Sequence, residues 1–217
     1  MHHITKKISK DCIMKDVLSK MRGLRLMRQD PYQCLISFIC ATNTNIPMIK
    51  RMLTNICVNF GDSVEYCGLK FHTFPEPKRL ANASLNELYR CSVGYRARFI
   101  QRAAMTVLNG KIDFDSLRRK NYQNAKKELI DFLGVGQKVA DCILLFSLEK
   151  LDSFPIDVWI ARTIIRYYAY MFESELNGEK ITPKVYSIIS SKMRGYFGVY
   201  AGYAQQYLYC YFRNNKN

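Results

Sequence analysis

Apolar residues recur at spacings of three and four along most of the chain, the pattern of helices that bury one face. Pro31 opens the run PYQCLISFICA, in which Cys34, Leu35, Phe38 and Ile39 line up on such a face. Asn45 and Pro47 mark the start of the next helix, IPMIKRMLTNICVNF, which stops at Gly61. Residues 62–83 carry Gly68, Pro75 and Pro77 and read as an irregular connection. Ser84, with Glu87 three positions on, forms a capping box that opens another helix. The same periodicity predicts helices over 96–109, 122–132, 137–149, 158–171, 183–195 and 199–213. Strand-like alternation is scarce, and no repeat or low-complexity stretch intervenes. The pattern predicts an all-α chain.

Length and composition add limits. The 217 residues suit one domain, or two lobes sharing a core. With 48% apolar and 24% charged residues, disorder is excluded. The longest apolar stretches, such as Cys142 to Leu148, fall far short of the roughly 20 residues that span a bilayer. Thirty-three Lys and Arg against 18 Asp and Glu leave a net charge of +15, which points to a polyanion, nucleic acid before acidic membrane. No basic helix with a clean apolar face supports the membrane option. The eight cysteines include no C-x-x-C pair, and His72 is the one histidine away from the N-terminus, so a zinc site has little to draw on. The same scarcity argues against Ser-His or Cys-His nucleophilic machinery. With no secretory leader in view, the thiols are expected to be reduced and the protein intracellular, in cytoplasm or nucleoid.

One segment stands apart, residues 128–162, ELIDFLGVGQKVADCILLFSLEKLDSFPIDVWIAR. A helix is expected to end at Leu133, a tight turn to follow at Gly134, Val135 and Gly136, and a second helix to start near Gln137. Amide groups at such a turn, at the positive end of the following helix, suit a phosphate oxygen. Helix, hairpin, helix is an arrangement for gripping a DNA backbone without reading its sequence, although G-V-G alone reads equally well as a plain glycine helix stop. Lys138 falls in the first turn of the second helix, beside the apolar face of Val139, Cys142, Ile143 and Phe146. An ammonium there is disfavoured by the helix dipole and by burial, both of which raise the neutral fraction that a lysine nucleophile needs. Asp157, after Pro155 and Ile156 and before VWIARTIIRYY, sits at an N-cap, where a carboxylate stays ionised. Taken singly, Lys138 is a solvated lysine and Asp157 an ordinary cap. Taken with the hairpin, they form a site for breaking a glycosidic bond: the amine attacks the sugar and the carboxylate stabilises its developing positive charge.

LGVGQKVADCILL and FPIDVWIAR resemble the core of the helix-hairpin-helix DNA glycosylases, most of all the bifunctional 8-oxoguanine DNA glycosylases. RQDPYQCLISFICATNTNI (28–46), VGYRARFI (93–100) and YAGYAQQYLY (200–209) resemble further blocks of that family, in order. The resemblance covers roughly residues 25–213. It implies a two-lobed all-α fold with the active site in the cleft between lobes, and a single glycosylase domain over residues 1–217 with the hairpin motif at about 128–149. It also implies a monomer without an obligate protein partner, acting on double-stranded DNA that contains 8-oxoguanine. By the same resemblance, Lys138 is the Schiff-base nucleophile and Asp157 its acidic partner. Cys142 and Tyr209 flank the flipped base, and Gln205 bonds its Watson–Crick edge. Asn43, Asn45, Tyr95 and Arg96 fill the duplex gap or touch the orphaned partner base, while Gly134, Val135 and Gly136 hold the backbone. Gln205 also reads as a surface amide, and Tyr95 and Tyr209 as core aromatics. The chemistry calls for no metal and no organic cofactor, and β-elimination then nicks the strand.

Four departures matter. The family's larger members carry an N-terminal antiparallel-sheet domain that helps tell 8-oxoguanine from guanine, and this sequence starts after it, so discrimination is expected to use other groups. Met48 stands where the family places an arginine that reads the cytosine opposite the lesion. Trp159 replaces a histidine two residues after Asp157, which puts phosphate contacts there in doubt. Only Cys210 lies near the C-terminus, so the four-cysteine iron–sulfur cluster of many relatives is not expected. Two rival readings remain: a glycosylase for another oxidised purine, and a non-catalytic helix-hairpin-helix DNA-binding module.

Overall fold

Polar side chains that accept from the first helical turn start most of the helices. In the computed structural model, which describes residues 1–172 and 181–214, the chain opens with α1 (His2–Ile8) and α2 (Cys12–Lys20). The Asp11 carboxylate accepts from the Met14 amide at 2.7 Å to begin α2. Asp30 does the same for α3 (Pro31–Cys40), and Asn45 for α4 (Ile46–Phe60). Then come strands β1 (Ser63–Tyr66) and β2 (Leu69–His72), and α5 (Pro77–Asn82), α6 (Leu85–Arg90), α7 (Ala97–Leu108), α8 (Phe114–Arg119) and α9 (Tyr122–Ile130). The remaining helices are α10 (Gln137–Ser147), α11 (Val158–Tyr167), α12 (Pro183–Phe197) and α13 (Ala201–Asn214). Short 3-10 turns at Gly94–Arg96, Ala169–Met171 and Gly198–Tyr200 precede or follow helices.

The apolar faces gather into two cores. The first draws Leu35, Ile36 and Ile39 of α3, Met52 and Ile56 of α4, Ile100 and Ala104 of α7, Leu129 of α9 and Ile143 and Leu144 of α10. The second joins Ile8, Met14 and Val17 from the start of the chain to Phe154, Ile160, Ile164, Tyr168, Ile189, Met193, Phe197 and Leu208. Each fully buried aliphatic or aromatic side chain contributes about 1.5–3 kcal/mol relative to exposure. The expected two lobes are these two cores. α10 lies at their junction, packed on α3 and α9 on one side and on α12 on the other.

The expected all-α class holds, and three local expectations are corrected. Residues 62–83 are not an irregular connection. Val64 pairs with Phe71 and Tyr66 with Leu69 in an antiparallel hairpin, and α5 follows. The hairpin forms because Cys67 and Gly68 both take positive φ, 50° and 73°, which suits a two-residue turn between twisted strands. Pro77 opens α5 at its first position, where a proline lacks nothing the helix needs. Helices α1, α2 and α8 had no counterpart in the periodicity reading, since all are short and α1 buries only Ile8. The predicted helices 122–132, 137–149 and 158–171 end two to four residues early, at Ile130, Ser147 and Tyr167.

Candidate active site

The turn between α9 and α10 is built around Gly134. Its φ of 89° is a left-handed conformation, and a Cβ there would lie 2.7 Å from the Phe99 ring of α7. The Val135 amide donates to the Phe132 carbonyl at 3.0 Å, and Gly136 starts α10 with extended backbone and no side chain to cap it. The first-turn amides of α10 therefore have no side-chain cap, at the positive end of the helix. Gln137 fastens this end to the second lobe: its amide donates to the Pro183 carbonyl, and its oxygen accepts from the Ser187 hydroxyl, each at 2.9 Å.

Lys138 is half-buried in the first turn of α10, and Cys142 is 4% exposed one turn on. Burial pushes the Cys142 thiol well above its ordinary range, the Lys138 ammonium pulls it back, and the Asp141, Cys34 and Asp157 charges add to the rise. Asp157, from the other lobe, thus shares a field with Lys138 at Cys142. Its carboxylate caps α11 by accepting from the Ile160 amide at 2.8 Å, as its position before that helix predicts. Tyr209 of α13 is half-buried; burial raises its hydroxyl, Arg213 counters, and Asp157 raises it further. The Arg213 guanidinium donates to the Tyr209 oxygen at 3.0 Å. The Asp157 charge thus acts on both Cys142 and Tyr209, and the Lys138 charge on Cys142. Gln205, one turn before Tyr209 on α13, is buried, and its carbonyl oxygen accepts from Gln206 at 2.6 Å.

The other candidates lie on the first lobe. Asn43 is exposed with φ of 48° in the turn between α3 and α4, and exposed Asn45 caps α4 through the Met48 amide at 3.0 Å. Tyr95 is 51% exposed and rests edge-on against Phe99, with ring centroids 6.0 Å apart. Phe99 thereby supports both Tyr95 and the Gly134 turn, and a shallow groove runs over Thr42, Phe99 and residues 130–136. Arg96 differs from Asn43, Asn45 and Tyr95 in being 7% exposed. Its guanidinium lies 4.6 Å from the Tyr95 ring centre and donates to the carbonyls of Thr42, Asn43 and Val93. It holds the turn that presents Asn43. Trp159 is half-buried, with Arg162 stacked 5.5 Å from its ring.

Sequence reasoning passed over Phe99 and a buried carboxylate, Asp141. Phe99 is an unremarked aromatic in VGYRARFI, and only the glycine that must lie against it makes it special. Asp141, between Ala140 and Cys142, is fully buried and accepts from Tyr122, Lys126 and Tyr186. A charged residue inside the apolar face of a helix was the available signal.

The chain is 34% identical over 208 residues to the N-glycosylase/DNA lyase OGG1 of Arabidopsis thaliana, covering 92% of this chain and 55% of that protein. It is 30% identical over 212 residues to the N-glycosylase/DNA lyase of Saccharomyces cerevisiae, covering 87% and 56%. The chain thus spans about half the length of these curated relatives. Among solved structures, the 8-oxoguanine glycosylase/lyase of Clostridium acetobutylicum, in complex with double-stranded DNA containing cytosine opposite 8-oxoG, superposes with a TM-score of 0.89 at 32% identity. That match covers 100% of this chain and 71% of the other. The profile of the HhH-GPD superfamily matches residues 36–182, more than half of the sequence, and with the lobes, the hairpin and these relatives in agreement, the chain belongs to the HhH-GPD superfamily of base excision DNA repair proteins.

Proposed function

We propose that the protein is a bifunctional DNA glycosylase and AP lyase that excises 8-oxoguanine from double-stranded DNA, and that residues 1–217 act as one glycosylase domain. The observation that carries this reading is that the Lys138 and Asp157 charges, from opposite lobes, both act on the buried Cys142 thiol, beside an uncapped helix start. A non-catalytic DNA-binding module needs neither charge there.

The base is extruded into the junction, between Cys142 and Tyr209, with Gln205 on its Watson–Crick edge. The Lys138 amine attacks C1′ of the sugar. The glycosidic bond breaks with its electron pair to the purine, which takes up the proton the amine loses. Asp157 stabilises the positive charge that develops on the sugar as the bond lengthens. Opening of the sugar ring gives the imine; loss of a C2′ proton then expels the 3′ phosphate and nicks the strand. Gly134, Val135 and Gly136 hold a backbone phosphate of the damaged strand, Asn43, Asn45 and Tyr95 occupy the space the base leaves, and Arg96 positions Asn43. None of these steps calls for a metal or organic cofactor. We also propose a monomer without an obligate protein partner, in a reduced intracellular compartment that suits its eight free cysteines. No helix among the described residues is long and apolar enough to cross a membrane.

Borohydride trapping on a duplex with one 8-oxoguanine tests the reading. A covalent adduct is expected on the damaged duplex, none on undamaged duplex, and none with Lys138→Gln. Binding without an adduct would overturn it. One observation favours a second reading, the same chemistry on another oxidised purine. The Gln206 amide occupies a lone pair of the Gln205 oxygen, which changes what the base-reading edge offers. Excision from a panel of oxidised purines separates the two.

A further inference from the structure

Asp141 lies three residues after Lys138 on α10 and is 0% exposed. Its Oδ1 accepts from the Tyr122 hydroxyl at 2.6 Å, and its Oδ2 accepts from the Lys126 ammonium and the Tyr186 hydroxyl, each at 2.8 Å. The Ser153 hydroxyl lies 2.9 Å from the Asp141 carbonyl and 3.2 Å from Oδ1. Three of these groups come from helices, Tyr122 and Lys126 from α9 and Tyr186 from α12. Ser153 does not: it belongs to the connection that carries Asp157.

The Tyr186 oxygen reaches that connection as well, accepting from the Ile156 amide at 3.2 Å. Ile156 is the residue immediately before Asp157. The connection has no helix or strand of its own between Ser147 and Val158, yet Ser153, Phe154, Pro155 and Ile156 are all buried. A buried loop without a ladder must find its hydrogen bonds elsewhere. Here Asp141 holds Ser153, chiefly through its main-chain carbonyl, and its side chain, through Tyr186, supplies a partner for the Ile156 amide.

We propose that Asp141, Tyr186 and Ser153 form a positioning relay that fixes the Asp157 carboxylate relative to the Lys138 amine. The proposal rests on the reading of Lys138 and Asp157 as nucleophile and acidic partner. Lys138 comes from the helix of one lobe and Asp157 from a loop of the other, so their separation is set by whatever ties loop to helix. Apolar packing resists separation but is non-directional. Hydrogen bonds to both oxygens of one carboxylate fix direction and register. An apolar group of similar volume is often no less stabilising than a buried ion pair, so a fully buried carboxylate at this junction calls for a role beyond stability. None of the three relay residues touches the reacting atoms, so they are positioning residues. A misplacement of about 1 Å near reacting groups costs on the order of a hundredfold in rate.

The test uses the full chain and a duplex with a single abasic site, on which borohydride trapping reads the Lys138 amine whatever base the enzyme excises. Tyr186→Phe removes only the hydroxyl that joins Asp141 to Ile156. Its trapping rate under single turnover is expected to fall roughly ten- to a hundredfold, with affinity for a tetrahydrofuran-site duplex within about twofold of wild type. Ile56→Val, in the first core and away from the relay, is expected to lower the melting temperature without slowing trapping. A merely structural role would show itself in melting alone. Trapping by Tyr186→Phe at the wild-type rate would overturn the relay. Should that variant not fold, Ser153→Ala decides: slower trapping supports the relay, and rescue by Ser153→Thr strengthens it, whereas a wild-type rate overturns it. Wild-type protein that traps an abasic site but leaves 8-oxoguanine in place overturns the lesion assignment and not the relay; wild-type protein that traps neither overturns both.

Discussion

Two glycines stand in one turn, and the structure asks different things of them. At Gly134 a side chain would meet a left-handed φ of 89° and the Phe99 ring at 2.7 Å; at Gly136 the space around a Cβ is open. Gly134→Ala should therefore destabilise by about 2–4 kcal/mol, from backbone strain and overpacking. Gly136→Ala should cost about 1 kcal/mol or less, as a weakened N-cap. Thermal melting of the two variants checks the contrast. Met48 makes a second prediction at this scale. Exposed in the first turn of α4, it offers a thioether where a bidentate donor would secure about 1–3 kcal/mol of discrimination for one opposite base. Excision opposite cytosine and opposite adenine should proceed at near-equal rates, and a hundredfold preference for cytosine in a gel assay would refute this. The spacing of G-V-G, Lys138, Cys142 and Asp157 made the catalytic candidates legible in the sequence, because they lie on one local segment. Arg96 was legible as a residue and not in its surroundings. Its commitment to carbonyls of another turn is a long-range fact that no local pattern carries.

At the scale of elements, Asp157 starts α11, and under the proposed function it also supplies the charge that stabilises the sugar. Substitutions can separate the two. Asp157→Asn keeps a side-chain oxygen for the Ile160 amide, so stability should stay within about 0.5 kcal/mol; Asp157→Ala loses the cap and about 1 kcal/mol. Both remove the charge, so both should slow base excision by about a hundredfold or more, with melting curves and single-turnover rates read side by side. Helices α3, α4 and α6 were legible because each pairs a cap or a proline start with an apolar stripe, and α10 because a glycine turn precedes its apolar face. The β1–β2 hairpin was not. Val64, Tyr66, Leu69 and Phe71 alternate over only four residues a strand and stay exposed, so no burial contrast announced them. In α2, Asp11 followed by Met14 and Val17 carried the signal of a cap and a face, but too briefly to stand out.

Across the whole molecule, buried acids of high pKa set the behaviour in alkali. Burial pushes the Cys34 and Cys40 thiols up to about 12 and Cys142 well above its ordinary range; Tyr122, Tyr168 and Tyr186 are raised as well, chiefly by burial. In the unfolded chain these thiols ionise from about pH 8.5. Below that pH both states hold the proton and the contribution is intact. Above it the unfolded chain releases protons that the folded one keeps, so stability falls by about 1.4 kcal/mol per pH unit for each thiol. The melting temperature should be nearly flat from about pH 7 to 8 and drop steeply between about 9 and 11; a flat profile to pH 11 would contradict this. Length left one domain or two lobes open, and the resemblance to the glycosylase blocks implied two. That its first two helices belong with its last was not legible, because docking across so much intervening sequence leaves no local mark.

That docking has a consequence for the order of synthesis. The first core is drawn entirely from Tyr32 to Leu148, whereas the second needs Ile8, Met14 and Val17 together with residues as late as Leu208. Asp11 accepts from the hydroxyl of Tyr196, 185 positions further on. During translation the first lobe can close while α1 and α2 still wait, their apolar residues uncovered, for α13 to emerge. Lys138 arrives with the early lobe, and Asp157 and Tyr209 with the late one. A chain halted before α13 would hold the hairpin and the Lys138 amine without Tyr209, so under the proposed function base excision waits for α13 to emerge.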